Sequence, residues 1–301
     1  MSSVDTGSLV TVSTRKLGYY LFISLRPKQW TKNAFIFAAL LFSRHLLEIP
    51  LLWRTLQTFA IFCILSGAVY LLNDLADRER DRLHPRKRSR PVAAGLLSPW
   101  QAGIAAMSLL TVSLIWSFWL GWQVGIISLV YAAQVMVYSF YLKHLVIIDV
   151  FVVAFGFVLR VLAGAASIQV PVSAWLLVSV TLLALFLALC KRRQELISWE
   201  KASEHRGILA EYSVPLLDQL ITTVTSCTVV VYALYTSLGA DNQYLMLTIP
   251  LVLFGLCRYL YLLHRHQGGE EPETLILQDK PLAITILLWA ASCFWILYYW
   301  N

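Results

Sequence analysis

The hydrophobic pattern of this chain consists of long apolar runs separated by short polar segments. Nine runs reach about 20 residues, the length that an α-helix needs to cross a hydrocarbon core about 30 Å thick. Membrane strands would show alternating polarity, and these runs do not alternate. The pattern predicts an all-α integral membrane protein, a bundle of about nine transmembrane helices at residues 20–42, 55–73, 101–119, 122–141, 146–168, 173–190, 215–238, 244–263 and 282–300.

Basic residues are distributed unevenly between the two ends of these runs. If the N-terminus lies inside, only Arg44 and Arg54 fall outside and Arg160 falls within a span, so 21 of the 24 Lys and Arg residues lie on the inner side. Lys and Arg are retained on the cytoplasmic side. We therefore predict a multi-pass protein of the cell (inner or plasma) membrane with a cytoplasmic N-terminus.

This topology predicts a single transmembrane domain over residues 1–301. A polar tail covers residues 1–16, and the long cytoplasmic loops are 74–100, 191–214 and 264–281. The run at 20–42 is the weakest of the nine, because Arg26, Pro27, Lys28 and Lys32 occupy its start. The loops predicted outside are short, so chemistry is expected on the cytoplasmic side, in an active-site cavity that opens there.

Composition agrees with a membrane protein that acts on anionic molecules. The 301 residues are 58% hydrophobic and 14% charged, and the formal net charge is +7. Because the basic residues gather on the predicted cytoplasmic side, they suit anionic lipid surfaces or phosphorylated substrates. We expect the membrane and such substrates as partners, and no nucleic acid. The sequence leaves open whether the chain forms a homo-oligomer.

An acidic motif follows the second apolar run, between residues 73 and 85. On a helix, Asn73, Asp74, Asp77 and Asp81 fall within an arc of roughly 100°, so their side chains point toward one volume. Magnesium prefers oxygen ligands and is usually held by one or two carboxylates together with substrate phosphates. The spacing therefore predicts Asp74, Asp77 and Asp81 as Mg²⁺ ligands. The alternative is a solvated helix end with salt bridges to Arg78, Arg80 and Arg82.

Further ionisable residues lie at or inside the other spans. Asp149 and Arg160 lie within one apolar run, where charged side chains are expensive and usually functional. They share a helix stripe but are about 16 Å apart along the axis, so we expect them to line one polar cavity without a direct bond. The basic residues near span ends are candidates for phosphate contacts or simple topology determinants: Arg26, Lys32, Lys143, Lys191 and Arg192.

Several motifs together resemble the UbiA prenyltransferase superfamily, whose members are bundles of nine transmembrane helices with an aspartate-rich loop after the second helix. The resemblance is closest to the decaprenyl-phosphate phosphoribosyltransferase branch. The motifs are Arg26-Pro27-Lys28-Gln29-Trp30-Thr31-Lys32-Asn33, Asn73-Asp74 to Asp81-Arg82-Leu83-His84-Pro85 with Arg90-Pro91, Tyr138-Ser139 to Leu142-Lys143, and Lys191-Arg192 with Glu195. Prenyl-transferring members have a second aspartate-rich motif, where this chain offers Asp149 alone.

The resemblance implies transfer of 5-phosphoribose from phosphoribosyl pyrophosphate to a polyprenyl phosphate, releasing pyrophosphate and feeding cell-wall polysaccharide synthesis. Mg²⁺ would neutralise the pyrophosphate while the anionic lipid phosphate attacks, so no strong base is required. The implied catalytic residues are Asp74, Asp77, Asp81 and Lys143. The implied substrate-binding residues are Arg26, Lys32, Asn73, Arg82, Tyr138, Asp149, Arg160, Lys191, Arg192 and Glu195.

Two alternatives remain open at this point. A UbiA-type prenyltransferase would share the metal site but would move a prenyl group from prenyl diphosphate to an aromatic or quinone-precursor acceptor. A transporter would use Asp149 and Arg160 to line a pathway, although the positive charge is concentrated on one face and the outer loops are short.

Overall fold

The computed structural model describes residues 14–83, 85, 87–197, 207–240, 242–265, 275 and 278–300. His84, most of the predicted N-terminal tail and parts of the predicted loops 191–214 and 264–281 lie outside these ranges. Eleven helices are used below: α1 Thr14–Ser24, α2 Phe37–Phe42, α3 Ile49–Ala76, α4 Arg78–Leu83, α5 Pro99–Leu120, α6 Trp122–Phe140, α7 Ile148–Ile168, α8 Ala174–Ile197, α9 Val214–Leu234, α10 Ile249–Arg265 and α11 Lys280–Tyr299.

The predicted all-α membrane class is confirmed. Among the described residues, eight helical segments are long and apolar enough to cross a membrane, and no strand occurs. These segments match the second to ninth predicted runs. Large apolar side chains such as Trp119, Leu247 and Leu287 are exposed on them, which is expected where helices face lipid.

The first predicted run is not one continuous span, which corrects the prediction for residues 20–42. Helix α1 ends at Ser24, a 3₁₀ segment occupies Pro27–Ile36, and α2 covers only Phe37–Phe42. Arg26 has a φ of 53°. Proline disfavours the α conformation at the residue before it, and Arg26 leaves the helical region there. The break therefore follows from Pro27, while the basic residues around it weaken the hydrophobic signal of the run.

The chain forms two compact units, each with its own contacts. The first unit contains residues 1–27 and 63–113, and the second contains 28–62 and 114–301. In the first unit, α1, the later part of α3 and the start of α5 enclose a small apolar core around Leu71, Val92 and Leu97. The segment that follows α4 packs into this core through Val92 and Leu97. The acidic motif is therefore flanked on both sides by residues of the core.

The second unit is organised around α7 and α8. Helix α7 packs against α2, α6 and α8, and α8 also packs against α9. Their core includes the fully or nearly fully buried Val161, Ala184, Phe186 and Leu217. Consecutive helices joined by short connections lie antiparallel, as in other helix bundles. The start of α7 and the end of α8 are therefore neighbours, and polar residues gather there.

Helix α7 approaches the chain ahead of α2 very closely at Gly164. A Cβ atom at this position would lie 2.0 Å from the backbone oxygen of Ile36, so no side chain fits. Glycine is required here by the contact between two backbones rather than by its own dihedral angles.

Candidate active site

The acidic motif lies across a break between two helices. Helix α3 ends at Ala76 and α4 begins at Arg78, so Asp77 occupies a turn. The backbone N–H of Asp77 donates to Asn73 O (2.9 Å), and that of Asp81 donates to Asp77 O (2.8 Å). The helical hydrogen-bond spacing therefore persists through the break. Asp74 and Asp81 remain on a common side even though the predicted single helix is interrupted.

Arginines join the two buried aspartates. Arg90 Nη1 donates to Asp74 Oδ1 (3.1 Å) and to Asp81 Oδ2 (2.7 Å), and Arg26 Nη2 donates to the same Asp74 oxygen. Asp74 is only 2% exposed. Arg26 also lies over the Tyr70 ring, 4.7 Å from its centroid. Two carboxylates and two guanidinium groups thus form one compact, charge-balanced cluster.

The other residues of the motif are more accessible. The Asp77 side chain is 35% exposed and lies 4.0 Å from Arg80 Nη1. Arg82 donates to Glu79 and, through Nε, to Ala93 O (3.2 Å), so it ties α4 to the following segment. Hydrogen bonds from Arg78 lower the pKa of Glu79 below its usual range. Asn73 is half-buried at the end of α3.

The donor set suits a magnesium ion held jointly with a substrate. Among the described residues, no group of three or more His, Cys, Asp or Glu side chains lies close enough to hold a metal alone. Two buried carboxylates do face one cationic nitrogen of Arg90. Mg²⁺ commonly binds one or two carboxylates plus phosphate oxygens and water. Carboxylates of this kind fit that mode and do not fit a site made of protein ligands only.

A second polar cluster lies in the other unit, where α7 begins and α8 ends. Asp149 is fully buried and accepts from Arg192 Nε through Oδ2 (2.6 Å). Arg192 also donates to Glu195 and to the Tyr138 hydroxyl (3.0 Å). These contacts bring together four residues predicted to bind substrate. The buried guanidinium is thereby held by two carboxylates and one phenol.

Tyr212 completes this second cluster, and it was not among the site residues predicted from the sequence. Its hydroxyl donates to Asp149 Oδ1 (2.8 Å) and accepts from the backbone N–H of Ile147 (2.7 Å). Burial raises the pKa of Tyr212 to about 12, so the phenol keeps its proton near neutral pH. A tyrosine 63 positions away along the chain carries no periodicity or motif that would have linked it to Asp149.

Ile147 adopts a backbone conformation that is rare for a β-branched residue. Its φ is 69° and its ψ is −46°, and the N–H of Ile148 donates to Val146 O (2.8 Å) around it. This is a γ-turn with positive φ, which is strained. Strain of this kind costs about 1–3 kcal/mol and persists where surrounding contacts enforce it. The hydrogen bond from Ile147 N–H to Tyr212 is such a contact.

Arg160 lies apart from Asp149, with different partners. Its three nitrogens donate to Asn33 Oδ1 (2.7 Å), Gly156 O (2.8 Å) and the Tyr131 hydroxyl (2.8 Å). Asp149 is not among these partners, and the prediction that the two residues line one polar cavity stays a prediction. Asn33 and Tyr131 were not among the predicted site residues, although Asn33 belongs to the basic motif that begins at Arg26.

Three predicted lysines sit at the borders of helical segments. Lys32 lies in the 3₁₀ segment Pro27–Ile36, Lys143 in the 3₁₀ turn Leu142–His144, and Lys191 near the end of α8. Each is half-buried or exposed rather than part of the core. Arg90, which joins the buried aspartates, is the basic residue that the sequence could have indicated, because it closes the basic run directly after the motif.

The sequence of this chain is similar to those of known membrane proteins. A model of the UbiA prenyltransferase family matches residues 33–278, which is most of the chain. The chain belongs to the UbiA prenyltransferase family. It is therefore a transferase and a multi-pass membrane protein, and a transporter function is set aside.

Individual members of the UbiA family show a similar match. A decaprenyl-phosphate phosphoribosyltransferase of Mycolicibacterium smegmatis is 32% identical over 291 residues, covering 90% of each chain. A protein of the same name from Corynebacterium glutamicum is 32% identical over 284 residues, covering 88% of this chain and 83% of its own.

Solved UbiA structures share the fold at lower sequence identity. A UbiA homologue from Archaeoglobus fulgidus, bound to GPP and Mg²⁺, superposes with a TM-score of 0.69 at 20% identity. The superposition covers 91% of this chain and 98% of that protein. The likeness supports the helical arrangement of the UbiA family in this chain.

Proposed function

We infer that this protein transfers 5-phosphoribose from phosphoribosyl pyrophosphate to a polyprenyl phosphate of the decaprenyl type, releasing pyrophosphate. The observation that carries this proposal is the sequence identity of 30–32% with proteins named decaprenyl-phosphate phosphoribosyltransferase, over about 90% of the chain. Each of the two polar clusters, taken by itself, supplies groups suited to an anionic, phosphorylated ligand.

The first cluster is suited to hold the pyrophosphate of the donor. Asp74 and Asp81, with Asp77 from the turn, would hold Mg²⁺, which supplies neutralisation of the charge that develops on the leaving pyrophosphate. Arg26 and Arg90 contact these aspartates and can turn their remaining N–H groups toward phosphate oxygens. The carboxylates position the donor, and the guanidinium groups offset its negative charge.

The second cluster, taken by itself, is suited to bind an anionic group. Arg192 is fixed by Asp149, Glu195 and Tyr138, so its orientation is set before a ligand arrives. Lys143 and Lys191 add positive charge at the same ends of α6 and α8. The nucleophile is a phosphate oxygen of the lipid, already anionic near neutral pH, so the rate depends on positioning and charge neutralisation rather than on a base.

We also propose the cell membrane as the location, with the N-terminus and the acidic motif on the cytoplasmic side. The 21 inner Lys and Arg residues support this orientation. A cytoplasmic site has access to a water-soluble phosphoribosyl donor, and the lipid acceptor reaches the protein through the bilayer.

A prenyl transfer reaction is the second candidate, because the Archaeoglobus homologue binds GPP with Mg²⁺. The deciding experiment measures pyrophosphate release by the purified protein with Mg²⁺, phosphoribosyl pyrophosphate and a polyprenyl phosphate. Release that requires the lipid and stops with EDTA is the expected result. Turnover of prenyl diphosphate with an aromatic acceptor, without turnover of the phosphoribosyl donor, would contradict the proposal.

A further inference from the structure

Arg90 connects two buried carboxylates within the first unit. Its Nη1 donates to Asp74 Oδ1 (3.1 Å) and to Asp81 Oδ2 (2.7 Å), so a single nitrogen contacts an oxygen of each aspartate. Both aspartates are only 2% exposed. Two buried carboxylates this close repel each other unless a cation lies between them. The Arg90 guanidinium is that cation.

The two aspartates depend on Arg90 to different degrees. Asp74 has a second cationic partner, because Arg26 also pairs with it. Among the described residues, Asp81 forms an ion pair with Arg90 alone. A buried carboxylate that loses its ion-pair partner is strongly destabilising. Another cation must therefore pair with Asp81 whenever the Arg90 side chain moves away from it.

The backbone of Arg90 is held in place, whereas its side chain reaches the surface. Its N–H donates to Lys87 O (2.9 Å), and its carbonyl accepts from the N–H of Ala94 (2.8 Å). Two residues further along, Val92 belongs to the apolar core of the first unit. The Arg90 side chain is 27% exposed. The guanidinium can therefore turn toward water while the segment that carries it stays folded.

A magnesium ion and the Arg90 nitrogen would compete for the same place. Mg²⁺ binds oxygen ligands at about 2.0–2.1 Å, so an ion held by both aspartates leaves no room for a nitrogen between the same two oxygens. Two cations at that separation also repel each other.

We propose that Arg90 is a positioning residue that takes the place of Mg²⁺ between Asp74 and Asp81, and that its guanidinium turns outward when Mg²⁺ binds. The inference rests on the proposed function, in which these aspartates hold Mg²⁺. It deepens that function by naming the side chain that keeps the two carboxylates together and then gives way to the metal.

The test measures metal binding without any donor, so its readout does not depend on catalysis. Mn²⁺ is the probe, because it prefers the same carboxylate ligands as Mg²⁺. Loss of the EPR signal of aqueous Mn²⁺ reports binding to the purified full-length protein. We expect weak binding by the native protein and a Kd lower by about 10-fold or more in Arg90→Met, because a positive charge beside the dication has been removed.

Arg82→Met is the matched control for this measurement. It removes a guanidinium of the same motif, but Arg82 donates to Glu79 and to Ala93 O rather than to the two buried aspartates. Its Kd for Mn²⁺ should therefore equal that of the native protein.

Thermal unfolding in detergent, again without a donor, gives a second readout. Without metal, Arg90→Met should unfold at a temperature about 5 °C or more below that of the native protein. Mg²⁺ should restore most of this difference, whereas NaCl at equal ionic strength should not. The double variant Arg90→Met/Asp81→Asn also lacks the carboxylate charge, so Mg²⁺ should not stabilise it.

Two results would overturn the inference. One is an equal Mn²⁺ affinity of the native protein and Arg90→Met. The other is an Arg90→Met protein that Mg²⁺ neither stabilises nor allows to fold, because the metal then does not replace the guanidinium. Both results would leave the proposed function standing, since release of pyrophosphate from the phosphoribosyl donor is measured separately.

Discussion

The aspartates of the acidic motif differ in burial. This difference indicates which of them can be replaced without disturbing the fold. Asp74 and Asp81 are buried and joined to arginines, so replacing either one disturbs the fold as well as the site. Asp77 lies in the turn with a half-exposed side chain. It is therefore the aspartate at which a loss of chemistry can be measured without a loss of structure.

Asp77→Asn should abolish turnover while the protein stays folded and inserted. An amide removes the negative charge needed for Mg²⁺, and we expect a fall in kcat of about 100-fold or more. Pyrophosphate release and thermal unfolding in detergent would be measured together. Glu79→Gln, the same charge change at an exposed position two residues further along, is the matched control and should stay active. Retained activity in Asp77→Asn would remove Asp77 from the metal site.

Tyr212 predicts a specific dependence of stability on pH. Its pKa is about 12 in the folded protein, against a usual value of 10. Because the folded pKa is raised, the protonated phenol stabilises the fold fully below pH 10, and this contribution is lost as the pH rises toward 12. The free energy of unfolding should fall across that window in the native protein. In Tyr212→Phe, the free energy of unfolding should decrease less between pH 10 and pH 12 than it does in the native protein. The variant should also be less stable at pH 7 by about 1–3 kcal/mol.

Tyr244→Phe, at an exposed position, is the control for this measurement. Equal pH profiles for Tyr212→Phe and the native protein would contradict the assignment.

Helix α7 makes contacts within the second unit that the sequence pattern did not predict. Its apolar residues predicted a span, and its two charged residues predicted polar contacts. Neither observation indicated that Gly164 touches the backbone at Ile36 or that Ile147 precedes α7 in a strained turn. Both features depend on contacts with segments distant in the sequence. Hydrophobic periodicity reports only on one helix at a time.

Gly164→Ala should severely destabilise the protein. The added methyl group would lie 2.0 Å from a backbone oxygen, so α7 and the 3₁₀ segment ahead of α2 must separate. We expect a loss of about 3 kcal/mol or more, the upper end for overpacking, together with poor yield of inserted protein. Gly255→Ala is the matched control, because its nearest atom would be 3.9 Å away. Equal thermal unfolding of the two variants would show that the backbone contact at Gly164 is relaxed.

At the scale of the whole molecule, the fold class could be predicted from the sequence because lipid imposes one rule on every span. Apolar runs of sufficient length predicted all eight of the described helical segments that can cross a membrane. The broken segment at Arg26 could not be predicted as such, since a proline-centred break and a weak span give the same hydropathy. The functional roles of the candidate site residues stay a prediction, although the structure does bring Tyr138, Asp149 and Arg192 together from three different helices. Tyr212 required the tertiary structure, because no motif or periodicity links it to Asp149.

The distribution of basic residues predicts the sidedness of the membrane protein. In intact cells, Glu48→Cys should react with a membrane-impermeant maleimide, whereas Arg88→Cys should react only after the membrane is opened. Both positions are exposed, so access to the thiol depends on the side of the membrane. The native cysteines are the background to be subtracted. Labelling of Arg88→Cys in intact cells would reverse the proposed orientation.

The arginine bridge over Asp74 and Asp81 has a consequence for the order in which ligands arrive. The two carboxylates already have two guanidinium partners, so they attract a bare dication weakly. The diphosphate of a donor brings the negative charge that these arginines can bind instead. We expect the initial rate to depend on the concentration of the magnesium–donor chelate. At a fixed chelate concentration, the rate should change little with free Mg²⁺. Initial rates measured with the two quantities varied independently would show whether the chelate binds as a unit or the metal binds before the donor.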